Sequence, residues 1–337
     1  MLPSENASVL LPSNSLSPAS RPRVSIAMAT FNGERFVREQ LESILAQSVS
    51  DFELVISDDT STDGTWEILQ EYSEKDNRIR IYRNNLNLGF KRNFEQAIRL
   101  CQADFIALSD QDDIWYPDHL QVLLGHIGHH VLCAGDADMV DEHNLNTGER
   151  RSFADGFHVI PPAEKLVWSL MFVQNPLQGA SMLLRRDFVE SILPVPDFVF
   201  THDRFFTACA CCKTGPVFVP RPITRYRQHS DNVTASCHNK QGRKIIPLAK
   251  YIDFLTGKFR PVTDRVALCR KLLSLFGPNK EVETILQINL NLASRCITPE
   301  LVRTLWDNYE FIVTKHGHSD FLKYLLIWLF TEQKGAS

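Results

Sequence analysis

No glycine-rich phosphate loop occurs where this chain would need one. The turn after its first apolar run reads Thr30-Phe31-Asn32-Gly33, and neither a GxGxxG fingerprint nor a Walker loop is present. A backbone cradle for phosphate is therefore not expected. Membrane-spanning runs are missing too. The longest candidate, Phe321 to Phe330, is about half of what a span needs. The N-terminus lacks a basic region followed by an apolar core, so no secretion signal is expected. A net charge of -4 gives no global reason to expect nucleic acid as a partner. The eight cysteines are irregularly spaced, and Cys209 and Cys212 have no second pair or histidine at zinc-ribbon distance. Such usage fits a reducing, cytoplasmic setting better than a disulfide scaffold.

What is present is an ordinary globular balance, 44% hydrophobic and 23% charged over 337 residues, enough for a sizeable core. Residues 1–22, rich in Ser, Pro and Asn, read as a flexible tail. Apolar runs at Val24–Ala29, Phe52–Ser57, Ile79–Tyr82 and Asp104–Leu108 read as strands. Between them, helical spacing runs from Phe36 to Leu45, from Ser61 to Leu69 and from Asn93 to Leu100. Strands alternating with helices imply a doubly wound, mostly parallel α/β sheet, which binds ligands beyond the carboxyl ends of its strands.

Three polar clusters fall at those ends: Thr30-Phe31-Asn32, Asp58-Asp59 and Asp110-Gln111-Asp112-Asp113. Asp110 and Asp112 alternate along an extended segment and can converge on one point. Crowded carboxylates repel, and a hard divalent cation carrying a phosphate ligand relieves that. An isolated acidic turn is usually a solvated helix cap. The buried strand before this one, and the aspartate pair upstream, favour the metal.

Further strands are expected at Val131–Ala137, Gly179–Leu184, Val217–Val219 and Ile223–Tyr226, and a helix over Arg186–Leu193. The polar stretch from Asp138 to about Ala163 reads as an acceptor loop or as plain surface. Asp203 opens an apolar helix, where its charge suits the helix dipole. His229 stands near Arg225 and Arg227, among donors suited to phosphate. From about Asn239 the chain turns basic and helical. That basic start is either a solvated helix face or a surface lying on anionic lipid, with 321–330 as a shallow anchor.

The ordered set Val24 to Gly33, Ser57 to Thr65 and Ser109 to Asp113 resembles the family 2 glycosyltransferases of GT-A fold. Asn87-Leu88-Gly89 with Arg92-Asn93 is similar to that family's linker after the third strand. His202-Asp203 and Tyr226 to Val233 resemble the rhamnosyltransferase-like branch. The likeness covers roughly residues 24–235 and implies a tail at 1–22, a GT-A domain at 23–238 and a helical C-terminal region at 239–337. It implies an inverting transferase that takes a sugar, rhamnose or another deoxyhexose, from a dTDP- or UDP-linked donor. The acceptor would be a surface polysaccharide or a lipid-linked glycan, met by a cytoplasmic enzyme at the membrane's inner face. Carried over, Thr30, Asn32 and Asp59 hold the nucleoside, with Asp59 on its base, and Phe31, Asp58 and Arg92 join the donor site. Asp110 and Asp112 form the motif for Mn2+ or Mg2+, Asp112 as the direct ligand. Asp203 is the general base. His229 contacts the metal or diphosphate, helped by Arg225 or Arg227. Gln111 departs from the small or acidic residue that many relatives carry inside the motif.

Two rival readings stand beside this one. A catalytically silent nucleotide-sugar or glycan-binding module would bind donor without turnover. A phosphoacceptor pocket would phosphorylate Asp58 or Asp59, and would leave Tyr226–Val233 without a role.

Overall fold

The computed structural model describes residues 7–8, 21–154, 160–172, 175–230, 232, 262–294 and 298–308. The tail from 9 to 20, the basic stretch 240–260 and the segment 321–330 lie outside the described residues.

The strands are β1 (Ala7–Ser8), β2 (Val24–Thr30), β3 (Phe52–Asp58), β4 (Ile79–Asn84), β5 (Phe105–Ser109), β6 (Ile114–Trp115), β7 (Leu132–Val140), β8 (Asn146–Arg150), β9 (Met182–Arg185) and β10 (Pro216–Arg227). The central strands β2, β3, β5 and β7 form where largely apolar runs are buried on both faces. The sheet order is β1-β4-β3-β2-β5-β9-β7-β10-β6, with β8 beside β7. Neighbours from β4 to β5 are parallel, crossed by helices α1 (Val37–Leu45), α2 (Thr65–Lys75) and α3 (Phe90–Leu100). This is the expected doubly wound half.

Register brings the polar clusters together. Thr30 lies opposite Asp58, and Met28 opposite Ser109. The residues that follow on β2, β3 and β5 therefore leave the sheet along one edge.

The second half differs from a purely parallel sheet. β9 runs antiparallel to both β5 and β7. Its start therefore faces the edge where β5 ends, and Gly179–Ser181, expected as strand, form a 3-10 turn there. β10 is one strand instead of two pieces, with register shifts around Pro222. Prolines 220 and 222 lack the N–H that a regular ladder needs. Part of the stretch expected to be irregular is ordered: β7 continues to Val140 and pairs with β8.

Helices α4 (His119–His126), α5 (Arg151–Ala154), α6 (Ala163–Phe172), α7 (Arg186–Ile192) and α8 (His202–Cys211) complete this part. The described C-terminal helices are α9 (Val262–Phe276), α10 (Lys280–Ala293) and α11 (Pro299–Asp307). Leu268, Leu272, Ile285 and Leu305 share one buried cluster with Trp168 of α6 and Phe205 of α8. Trp168 also donates its indole N–H to Glu281 at 2.6 Å. Among the described residues, no helix is long and apolar enough to cross a membrane.

Candidate functional site

The two aspartates that end β3 are buried and heavily used by the protein. The Asp58 carboxylate accepts from the Thr30 hydroxyl at 3.1 Å and from the Ser61 N–H at 3.0 Å. Asp59 accepts from the N–H groups of Leu88 and Gly89, each at 2.8 Å, and from Asn84 Nδ2 at 2.9 Å. Asn93 on α3 in turn donates to the Thr30 and Ser57 carbonyls. Thr30, Asp58 and Asp59 are at most 2% exposed. They shape the edge, while Phe31, 46% exposed, and the exposed Asn32 present themselves to solvent.

The acidic turn leaves β5 beside them. Asp110, Gln111 and Asp112 are half-buried, and Asp113 is fully buried. Burial, then the charges of Asp112 and Asp203, push the Asp110 carboxyl up to about 8. Asp113 is raised well above the carboxylate range by burial and by Asp112 and Asp110. The short β6 pairs antiparallel with β10 and folds this turn back over the end of β10. There Asp112 Oδ2 meets His229 Nε2 at 2.8 Å. Phe36 packs on the His229 ring, with centroids 4.7 Å apart.

Arg227 and Arg92 are both engaged by groups of the protein itself. The Arg227 guanidinium is buried and donates to the Asp112 carbonyl (2.9 Å), the Glu142 carbonyl (3.0 Å) and Glu39 Oε2 (2.6 Å). Its backbone N–H binds Asp113 Oδ1 at 3.1 Å. Arg227 thus holds the acidic turn, with one N–H on each guanidinium nitrogen engaged by the protein. Arg92 pairs with Glu95 at 2.7 Å and Asp197 at 2.5 Å. The ammonium of neighbouring Lys91 binds the carbonyls of Asp197 and Val199 at 3.0 and 2.7 Å. Both therefore clamp the segment that leads to α8.

Asp203 sits in the first turn of α8, half-buried, near enough to Asp110 for its charge to act there. The 3-10 turn before β9 lies against it. A Cβ added to Gly179 would stand 3.5 Å from Asp203 Cβ and 3.4 Å from His202 Nε2. Gln178 donates to Asp113 Oδ2 at 3.3 Å. Asp110, Asp112, Asp203 and His229 therefore gather around one edge of the sheet. Among the described residues, no set of three His, Cys, Asp or Glu side chains is disposed as a complete metal cage. Asp112 and His229 offer one hard oxygen and one imidazole nitrogen side by side.

Glu39 and Asn84 were not singled out by sequence, and Asn93 entered only beside Arg92 in the family resemblance. Each acts through partners distant in the chain. Asn93 alone carried a signal, as a polar residue on the buried face of an amphipathic helix.

Known proteins agree with this architecture. A family model described as "Glycosyl transferase family 2" matches residues 25–193, half of the chain. The chain is 29% identical over 231 residues to a Bacillus subtilis protein named as a glycosyltransferase, EpsH, which covers 65% of this chain and 64% of that one. It is 41% identical over 99 residues to the dTDP-rhamnosyl transferase RfbG of Shigella flexneri, covering 28% of this chain and 34% of that one. It thus spans less than two thirds of either relative. The solved structure of S. aureus TarS 1-349 in complex with UDP-GlcNAc superposes with a TM-score of 0.58 at 16% identity, covering 86% of this chain and 82% of that one. That likeness shows the GT-A fold.

Proposed function

The chain belongs to glycosyl transferase family 2, and we propose that it transfers a sugar from a nucleoside-diphosphate donor to a hydroxyl of a growing surface polysaccharide or lipid-linked glycan. The observation that carries this reading is the convergence of Asp110, Asp112, Asp203 and His229 at the edge where β2, β3 and β5 end. The relatives named above support a dTDP- or UDP-linked donor, and RfbG supports a deoxyhexose such as rhamnose.

The donor set suits a hard divalent cation. Burial, then the charges of Asp112 and Asp203, disfavour a bare carboxylate at Asp110, and Asp112 with His229 would hold Mn2+ or Mg2+ together with phosphate and water. When bound, such an ion supplies positive charge against the leaving diphosphate.

The chain's own residues do the rest. Phe31 and Asn32 face the nucleoside, on the rim that Asp58 and Asp59 build. Asp203 accepts the proton of the acceptor hydroxyl as its oxygen bonds to the anomeric carbon and the bond to the diphosphate breaks. A single displacement inverts that carbon. We place the enzyme at the cytoplasmic face of the membrane, where a lipid-linked acceptor is within reach.

The test is a donor screen. Purified protein, Mn2+ or Mg2+ and a panel of nucleotide sugars are incubated, and released nucleoside diphosphate is recorded. Slow release from one donor, lost in Asp203→Asn and in Asp112→Asn, supports the reading. Release that survives both substitutions overturns the site.

A further inference from the structure

Backbone pairing between β2 and β5 stops at Met28 and Ser109. Beyond that point a side chain takes its place. The Phe31 N–H donates to Gln111 Oε1 at 2.9 Å, and Gln111 Nε2 donates to the Phe31 carbonyl at 3.0 Å. A primary amide offers the same donor and acceptor as a peptide group. Gln111 therefore adds one rung between the first loop and the acidic turn.

The rung needs room, and Gly33 provides it. A Cβ at Gly33 would lie 2.3 Å from Gln111 Oε1 and 2.4 Å from its Cδ. On its other side the same loop is fixed to the loop after β3. Asn32 N–H meets Ser61 Oγ at 2.9 Å, Thr62 N–H meets Asn32 Oδ1 at 2.8 Å, and Gly33 N–H meets Thr65 Oγ1 at 2.7 Å. The Phe31 backbone is thus held from both sides while its ring stays open to solvent.

We propose that Gln111 is a positioning residue. It sets the spacing between Phe31, which faces the nucleoside, and Asp110 and Asp112, which face the diphosphate. This rests on the nucleotide-sugar reading above. A small residue at 111 would leave both Phe31 backbone groups to water. A glutamate would lose the donor to the Phe31 carbonyl and add charge to an already crowded cluster.

The experiment is calorimetry on the full chain with Mn2+, using UDP, dTDP and inorganic pyrophosphate as probes. The proteins are wild type, Gln111→Ala, Gly33→Ala and the double variant. Wild type binds a nucleoside diphosphate. Each single variant binds it about tenfold more weakly, as expected for losing a pair of modest hydrogen bonds. Pyrophosphate affinity and melting temperature hardly change. The double variant is no weaker than either single one, because a methyl at position 33 acts by displacing the same amide. Unchanged affinity in Gln111→Ala overturns the inference, as does a multiplicative double variant. Equal loss for pyrophosphate, or a clear fall in melting temperature, also overturns it, because Gln111 would then be structural. If wild type binds neither UDP nor dTDP, the nucleotide-sugar reading fails first and this inference falls with it.

Discussion

Asp112 and His229 touch at 2.8 Å across 117 positions of chain. The contact is enforced from behind. Phe36 lies 4.7 Å from the His229 ring, and the Arg227 guanidinium lies 4.7 Å from the centroid of Phe36. Both polar groups therefore act as one unit, and their substitutions should not add. If the pair holds a metal as proposed above, Asp112→Asn and His229→Ala should each lower donor turnover about a hundredfold or more. The double variant should be no slower than the worse single one. Turnover measured across a Mn2+ titration checks this, and fully multiplicative losses would separate the two residues.

Arg227 is expected to matter for folding as much as for turnover. Its guanidinium joins Glu39 on α1, the Asp112 carbonyl and the Glu142 carbonyl. Arg227→Met keeps the bulk beside Phe36 and removes every one of those donors. The Asp112 and Glu142 carbonyls and Glu39 then lose a buried partner, together a cost of roughly 1–3 kcal/mol or slightly more, since Glu142 and Glu39 can turn to water. Urea unfolding should therefore show a loss of that size. Arg227→Lys should recover only part, since an ammonium cannot span the same fork.

A pH effect is expected at His119, away from the acidic cluster. Burial pushes its imidazole from 6.5 down to about 3, outweighing the bond from its ring to the Ile223 carbonyl. Between those values the unfolded chain binds a proton that the folded protein does not. Stability is therefore complete above about pH 6.5 and falls as pH drops toward 3. Between pH 7.5 and 4.5 this one group should remove about 2–3 kcal/mol. His119→Phe keeps the stack on Trp115, 3.8 Å away, and leaves the Ile223 carbonyl its bond from Tyr116 N–H. That variant should show a flatter profile by the same amount in urea unfolding at the two pH values.

Much of this arrangement was legible in the chain itself. Val24–Thr30, Phe52–Asp58 and Phe105–Ser109 are continuous apolar runs with polar residues at their exits, and that pattern alone puts the aspartates on one edge. Other parts were not legible, each for a physical reason. β6 is two residues long and exists only because β10 pairs with it. β10 looked like two pieces because its prolines interrupt the pattern without ending the strand. The direction of β9 leaves no mark on its alternation. Arg227 stands in a segment whose donors suit phosphate, and its partners Glu39 and Glu142 are known only once the chain is folded. The family resemblance put His229 near the metal or diphosphate, but its meeting with Asp112 was not legible, since spacing across more than a hundred residues carries no geometric signal.

His202 carries the last prediction. It is 7% exposed, and neither ring nitrogen meets a hydrogen-bond partner among the described residues. Phe94, Phe206 and Phe90 surround it at 4.2, 5.8 and 6.5 Å, and burial lowers its pKa, disfavouring the charged ring. An unpaired polar ring in an aromatic cage costs stability, and an apolar side chain of similar volume removes that cost. His202→Leu should therefore melt at the same temperature as wild type or a few degrees higher. Asp203 follows directly, and the His202 ring backs Gly179 beside it. Losing that support should misplace Asp203, the proton acceptor proposed above, and slow turnover about tenfold or more at saturating donor. Equal or greater stability with slower turnover marks a residue that serves Asp203 at a cost to the fold. Unchanged turnover in a more stable protein would leave His202 as packing alone.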